Sequence, residues 1–154
     1  MEPVRPALAA DASRIAELLG QLGYSTAPAL VERKLAALGQ SSTDAVLVAE
    51  NENGIVGVAS LHVLELFHEE GRLGRITSLV VGGASRGKGI GKLLLEAADE
   101  FFLGAGCVRA EVTSGRHRTE AHSLYQAHVY HPDERRFVKR YDSTGHSSGQ
   151  PVAR

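Results

Sequence analysis

GGASRGKGIG, residues Gly82 to Gly91, decides the fold. Before it stands ITSLVV, Ile76 to Val81, a β-branched run bounded by glycines that reads as a strand. After it Ile90, Leu93, Leu94, Ala97, Ala98 and Phe101 recur at helical spacing, with Lys92, Glu96, Asp99 and Glu100 on the opposite face, which predicts an amphipathic helix. A strand that runs through glycines into a helix leaves backbone N–H groups unpaired at the positive end of the helix dipole, so the junction attracts phosphate.

Towards the N-terminus, the polar loop HEEGRLG separates this strand from two others, Ala45 to Glu50 and Ile55 to Leu66, whose NENG connection suits a hairpin. Earlier still, Pro3 to Leu8 predicts a short strand. Asp11 stands at the N-cap of a helix that carries Ile15, Leu18, Leu19 and Leu22 and ends at Gly23; Pro28 opens a second helix, with Leu30, Val31, Leu35 and Leu38, that Gly39 closes. Towards the C-terminus, GAGC turns into a strand, Val108 to Thr113. SGRHR then leads to a helix from Thr119 to about His128, and RFVKRY, Arg136 to Tyr141, reads as a last strand. The order β-α-α-β-β-β-α-β-α-β predicts an α/β fold with a mixed, mostly antiparallel central sheet flanked by helices. Residues 1–141 are expected to form one domain, and the polar tail, 142–154, to be disordered.

With 17 basic and 18 acidic side chains the net charge is -1, so no global field draws the protein to nucleic acid. No apolar run is long enough for a membrane helix, and the first residues do not form a secretory signal, which predicts a cytoplasmic protein. Cys107 is the single cysteine and reads as a small buried hydrophobe. His68-Glu69-Glu70 lacks the second histidine of a zinc helix, and no metal is predicted.

Three phosphate loops can be laid over Gly82–Gly91. Gly82 to Lys88 fits the first part of a P-loop, but Gly89 stands where a Ser or Thr hydroxyl must bind magnesium. Gly83, Gly87 and Gly89 have a dehydrogenase-like spacing, yet too little chain follows for the rest of a doubly wound sheet, and Tyr125 has Val129 where that chemistry wants a lysine. The third, Arg86-x-x-Gly89-x-Gly91, resembles the acyl-CoA loop of the GNAT acetyltransferase superfamily. The similarity continues through RTEAHSLYQAHVY and RFVKRY, and so covers nearly the whole ordered chain.

That resemblance implies acetyl transfer from acetyl-CoA to a primary amine of a small molecule or peptide, directly and without an acyl-enzyme. It implies that main-chain N–H groups of Arg86, Gly87, Lys88, Gly89, Ile90 and Gly91 hold the pyrophosphate. It places Leu79, Val80 and Val81 along the cofactor arm, with an N–H near Val81 on the thioester oxygen, although the same three side chains also read as core. Tyr125, in AHSLYQ, would protonate the departing thiolate. Glu65 and Glu111 are candidate bases for the amine, with His62, His68 and His117 also able to titrate usefully. Tyr24 is the candidate for the acceptor side. Arg116, His117 and Arg118 form a basic cluster, read chiefly as solvated. Homodimers are common among proteins of this type, but no residue here specifies an interface. A catalytically silent acyl-CoA-binding module is the alternative, and it would not need Tyr125.

Overall fold

Five strands form one sheet in the order β1-β2-β3-β4-β5 in a computed structural model that describes residues 3–113, 119–133 and 136–145. The strands are β1 (Val4–Pro6), β2 (Asp44–Asn51), β3 (Gly54–Glu65), β4 (Arg72–Val81) and β5 (Cys107–Val112). Among them lie the helices α1 (Ala12–Gly20), α2 (Pro28–Gly39) and α3 (Ile90–Gly104), and α4 (Thr119–Ala127) follows β5. β1 to β4 pair antiparallel, whereas β4 and β5 are parallel, because α3 carries the chain back along its length before β5 begins. All five strands and α1 to α3 belong to one compact unit, Met1–Thr113, and α4 to a second, Ser114–Arg154.

The NENG hairpin closes on Asn51 opposite Gly54, which takes φ 94°, a left-handed conformation that glycine adopts without strain. Two bulges then break the ladders. Between β2 and β3, Ala49 faces Gly57 and Glu50 faces Ile55, leaving Val56 over. Between β3 and β4, Ser60 faces Ser78 and Leu61 faces Ile76, leaving Thr77 over.

α1 and α2 cover one face of the sheet through a core of Ala12, Ile15, Leu18, Val31, Val48, Val58 and Val80. α3 covers the other with Leu94, Leu95, Ala98 and Phe102, all buried. It lies so close that a Cβ on Gly57 would stand 3.0 Å from Leu94, and one on Gly74 would stand 2.5 Å from the Phe102 ring. No helix among the described residues is long and apolar enough to cross a membrane.

Four local expectations are corrected. β4 begins at Arg72, so only the first part of HEEGRLG is loop; a glycine at position 74 weakened the strand signal, and Phe102 is the reason it is there. α1 stops at Gly20, and Gly23, at φ 92°, shapes the turn beyond it. Asp11 makes no side-chain cap bond to α1. Its carboxylate turns back to accept the Leu8 N–H at 2.7 Å and two Arg5 nitrogens at 2.9 and 3.1 Å. The Arg5 guanidinium, against the opposing effect of burial, holds the Asp11 carboxyl below its ordinary value. Finally, residues 136–140 are not a strand, and Tyr141 makes a single bridge. Alternation in RFVKRY shows only which side chains would share a face, and Phe137 and Tyr141 both lie exposed instead of packing. Of the tail expected to be disordered, residues 146–154 lie outside the described residues.

α4 ends on Val129 at φ 70°. Val129 N–H donates to Gln126 O at 3.1 Å and Tyr130 N–H to Tyr125 O at 3.0 Å, the bond pair of a Schellman cap with valine where glycine is usual.

Candidate active site

β4 has a partner on both edges only over its first half. Its ladder with β5 ends at Ile76 opposite Val112, while its ladder with β3 runs on to Val81 opposite Gly57. The sheet therefore forks at Thr77. Gly82 N–H donates to Val56 O of β3 at 2.8 Å. Strand alternation then turns the amides of Leu79 and Val81 to the opposite edge, which has no neighbour among the described residues beyond the fork. Val81 O on that edge accepts a bond from Arg86 Nε at 3.2 Å. The side chains of Leu79 and Val80 are buried, so side-chain packing and an accessible backbone edge coexist in the same three residues.

The loop beyond β4 is first pinned and then opened. Gly83 N–H donates to Gln21 Oε1 at 2.9 Å, and Ser85 N–H to Gly82 O at 2.9 Å. Gly87 and Gly89 then take φ 79° and 81°. From Gly87 to Lys92 the backbone N–H groups have no protein acceptor among the described residues; the first bond of α3 runs from Leu93 N–H to Gly89 O at 3.1 Å. Gly89 is the N-cap and supplies no side-chain bond, and the first turn carries no acid. A row of free amides at the positive end of a fifteen-residue helix is what an anion needs. Apart from its chain neighbours, no atom of the described residues lies within 4 Å of where a Cβ would stand on Gly87 or Gly89. The space that a diphosphate would take is open there, and the loop fits such a group.

The other anticipated residues divide. Glu65 Oε2 accepts from Arg72 Nε at 2.7 Å at the far end of β3 from the loop, and Glu111 is bound by Arg75; neither carboxylate is free to receive a substrate proton without surrendering its arginine. His68 is exposed beside Glu69, and His117, with Arg116 and Arg118, lies outside the described residues. Tyr24 is exposed in the turn after α1. Lys92 approaches Glu96 at 3.9 Å, along the solvated face of α3. Tyr125 is buried on α4, edge-to-face with Tyr130 at 6.1 Å between ring centroids. Burial pushes the Cys107 thiol up, which suits packing rather than nucleophilic chemistry.

Among the described residues, His62 is the anticipated base held at both ring nitrogens. Its Nδ1 lies 2.6 Å from Asp44 Oδ1, and its Nε2 lies 2.7 Å from Thr77 Oγ1. Asp44 and Thr77 escaped sequence reading because two bulges bring them to the imidazole.

The profile of the Acetyltransferase (GNAT) family matches residues 14–129. The aminoalkylphosphonate N-acetyltransferase of Salmonella typhimurium is 35% identical over 85 residues, 55% of this chain and 55% of that one, so this chain matches about half the length of that relative. The glucosamine 6-phosphate N-acetyltransferase 1 of Oryza sativa subsp. japonica is 35% identical over 117 residues, 69% of this chain and 68% of that one. In fold, the crystal structure of glucosamine-6-phosphate N-acetyltransferase from Arabidopsis thaliana superposes with a TM-score of 0.75 at 24% identity, over 90% of this chain and 97% of that one.

Proposed function

The chain belongs to the acetyltransferase (GNAT) family, and we propose that it transfers an acetyl group from acetyl-CoA directly to a primary amine of a small molecule or peptide. The observation that carries the reading is the run of unpartnered amides from Gly87 to Lys92, continuous with the unpaired edge of β4. Acetyltransferases of this family take the acyl group from acetyl-CoA, which supplies it as an activated thioester. The Arg86 N–H donates to Gly83 O at 3.5 Å, so the amides of Gly87 to Gly91 hold the diphosphate, and the Leu79 and Val81 backbone lines the arm. The Val81 N–H faces the thioester oxygen, where charge gathers as the amine attacks.

On the strength of its motif, Tyr125 donates the proton that the leaving thiolate takes up. A phenol with an ordinary value of about 10 is protonated at neutral pH and can serve a thiol of about 8.5. Tyr125→Phe is expected to lower turnover about tenfold or more with acetyl-CoA affinity retained; unchanged turnover removes the role. Tyr24, exposed after α1, is assigned to the acceptor side. The two curated relatives act on amines that carry a phosphonate or a phosphate, so a small anionic amine is the first acceptor to test. The single cysteine, which can form no disulfide within the chain, supports a reducing cytoplasm as the compartment.

Release of the CoA thiol is measured with aminoalkylphosphonates, glucosamine 6-phosphate, peptide N-termini, polyamines and aminoglycosides. Release with at least one of them is expected. A chain that binds acetyl-CoA, seen as a rise in Tm, but releases thiol with none is a silent binding module instead.

A further inference from the structure

The face of the sheet that α1 and α2 cover continues past them as a polar ledge. Asp44 on β2, His62 on β3, Arg75 on β4 and Glu111 on β5 stand directly opposite one another across four strands. Arg75 and Glu111 are bonded to each other, which leaves Asp44 as the carboxylate on His62. Ser41 Oγ donates to the second Asp44 oxygen at 2.6 Å. That bond chiefly, with a further contribution from His62, holds the Asp44 carboxyl below its ordinary value against the opposing effect of burial.

The direction of the hydrogen bonds follows from the acceptor at the end. An ionised carboxylate only accepts, so the hydrogen between them sits on His62 Nδ1, and Nε2 of the neutral ring is an acceptor. The Thr77 hydroxyl therefore donates to Nε2 across 2.7 Å, and Ser60 Oγ, 2.7 Å from Thr77 Oγ1, donates to Thr77. Every donor in the chain points towards Asp44. Thr77 Oγ1 keeps a lone pair for one more donor, and Thr77 is exposed.

Place matters as much as direction. Thr77 is the residue left over by the β3–β4 bulge, and it stands where β5 leaves β4, between the last paired residue, Ile76, and the first open-edge amide, Leu79. Without the bulge, alternation would turn Thr77 to the face that α3 covers.

We propose that Thr77 and His62, oriented by Asp44, are the proton relay that frees the acceptor amine, an inference that rests on the acetyltransferase reading above. The amine passes a proton to Thr77 Oγ1 as the Thr77 hydroxyl proton passes to His62 Nε2, and the imidazolium so formed keeps its Nδ1–H on Asp44. The nitrogen lone pair attacks the thioester carbon: one N–C bond forms and one C–S bond breaks, the nitrogen sheds its second proton as the leaving sulfur gains one, and His62 returns the first to solvent. Thr77 touches the substrate, whereas His62 and Asp44 act through it.

The test follows thiol release with the fastest amine of the panel, at saturating acetyl-CoA, across the neutral and alkaline range. Thr77→Val, His62→Gln and the double variant are each expected to lower kcat by about a hundredfold, with the double no worse than the lower single and KM for acetyl-CoA within about twofold. Wild-type kcat should level off as pH rises, whereas the variants should keep climbing until the amine loses its proton unaided. Thr77→Ser, which keeps the hydroxyl, should retain about a third or more of the rate, and added imidazole should restore His62→Gly but not Thr77→Val. The relay is overturned if both single variants turn over within about twofold of wild type, or if a quenched reaction shows the acetyl group covalently on Thr77, which would make that hydroxyl a nucleophile. A wild-type chain that releases no thiol with any amine overturns the acetyltransferase reading itself, and the relay with it.

Discussion

Gly57 and Gly74 in the sheet and Gly87 and Gly89 in the loop are the same residue doing opposite work on either side of α3. At Gly74 a Cβ would meet the Phe102 ring at 2.5 Å, and at Gly57 it would meet Leu94 and Ile90 at 3.0 and 3.1 Å. There the protein itself occupies the space. At Gly87 and Gly89 a Cβ would meet no atom of the described residues beyond its chain neighbours within 4 Å, yet both hold a left-handed φ. Packing therefore explains the first pair and cannot explain the second. A glycine that faces open space, beside amides with no acceptor among the described residues, leaves room for a group from outside.

The sharpest way to break this contrast is Gly74→Ala. Phe102 is itself buried and has little room to yield, so a loss of about 3 kcal/mol is expected in denaturant unfolding; a loss below about 1 kcal/mol would mean that α3 rides freely on the sheet. Asp11→Asn tests an anchor remote from both glycine pairs and is expected to remove about 2 kcal/mol. The folded Asp11 value lies below its unfolded one, so its contribution is complete above the ordinary aspartate range and drains away as pH falls through the folded value. The variant should lack that acid-limb loss in a series of melts against pH.

Gly89→Ala probes the other half of the contrast. The strained backbone should cost only about 1 kcal/mol of stability, while acetyl-CoA affinity, measured by calorimetry, should fall about tenfold or more through even one lost charge-assisted bond. A variant that loses stability but binds acetyl-CoA unchanged would return Gly89 to a purely conformational role. The smallest effect has the opposite sign. Val129 occupies the left-handed cap of α4 with a β-branched side chain that is 78% exposed, so nothing rewards its strain through packing, and Val129→Gly should stabilise the chain by about 1 kcal/mol.

Much of the architecture was legible because its signals are local. The spacing of Leu30, Val31, Leu35 and Leu38 after Pro28 marked α2 to its last residue, and the glycines after Val81 marked the strand-to-helix junction on which the loop depends. From sequence β4 reads short because Gly74 carries no strand propensity of its own; its reason lies in Phe102, twenty-eight residues away. RFVKRY reads as a strand because alternation is a local property, whereas strand formation requires a neighbouring edge that local pattern cannot supply. Glu65 and Glu111 were reasonable candidate bases by residue type, and only cross-strand register revealed the arginines that occupy them.

The sequence by itself determined the order of elements as far as α4, the hairpin turn and the row of amides that opens α3, since each depends on residues adjacent in the chain. Tertiary structure decided the ledge around His62. Counting outward from Asn51 opposite Gly54 sets Leu61, not His62, across from Asp44; the residue left over at Val56 moves the pairing by one. A second residue left over, Thr77, turns a hydroxyl to the imidazole's face. A strand's side chains alternate with a period of two, so each single-residue slip exchanges the two faces of the sheet. Where such slips fall is settled by the packing of both faces at once, and not by the residues at the slip.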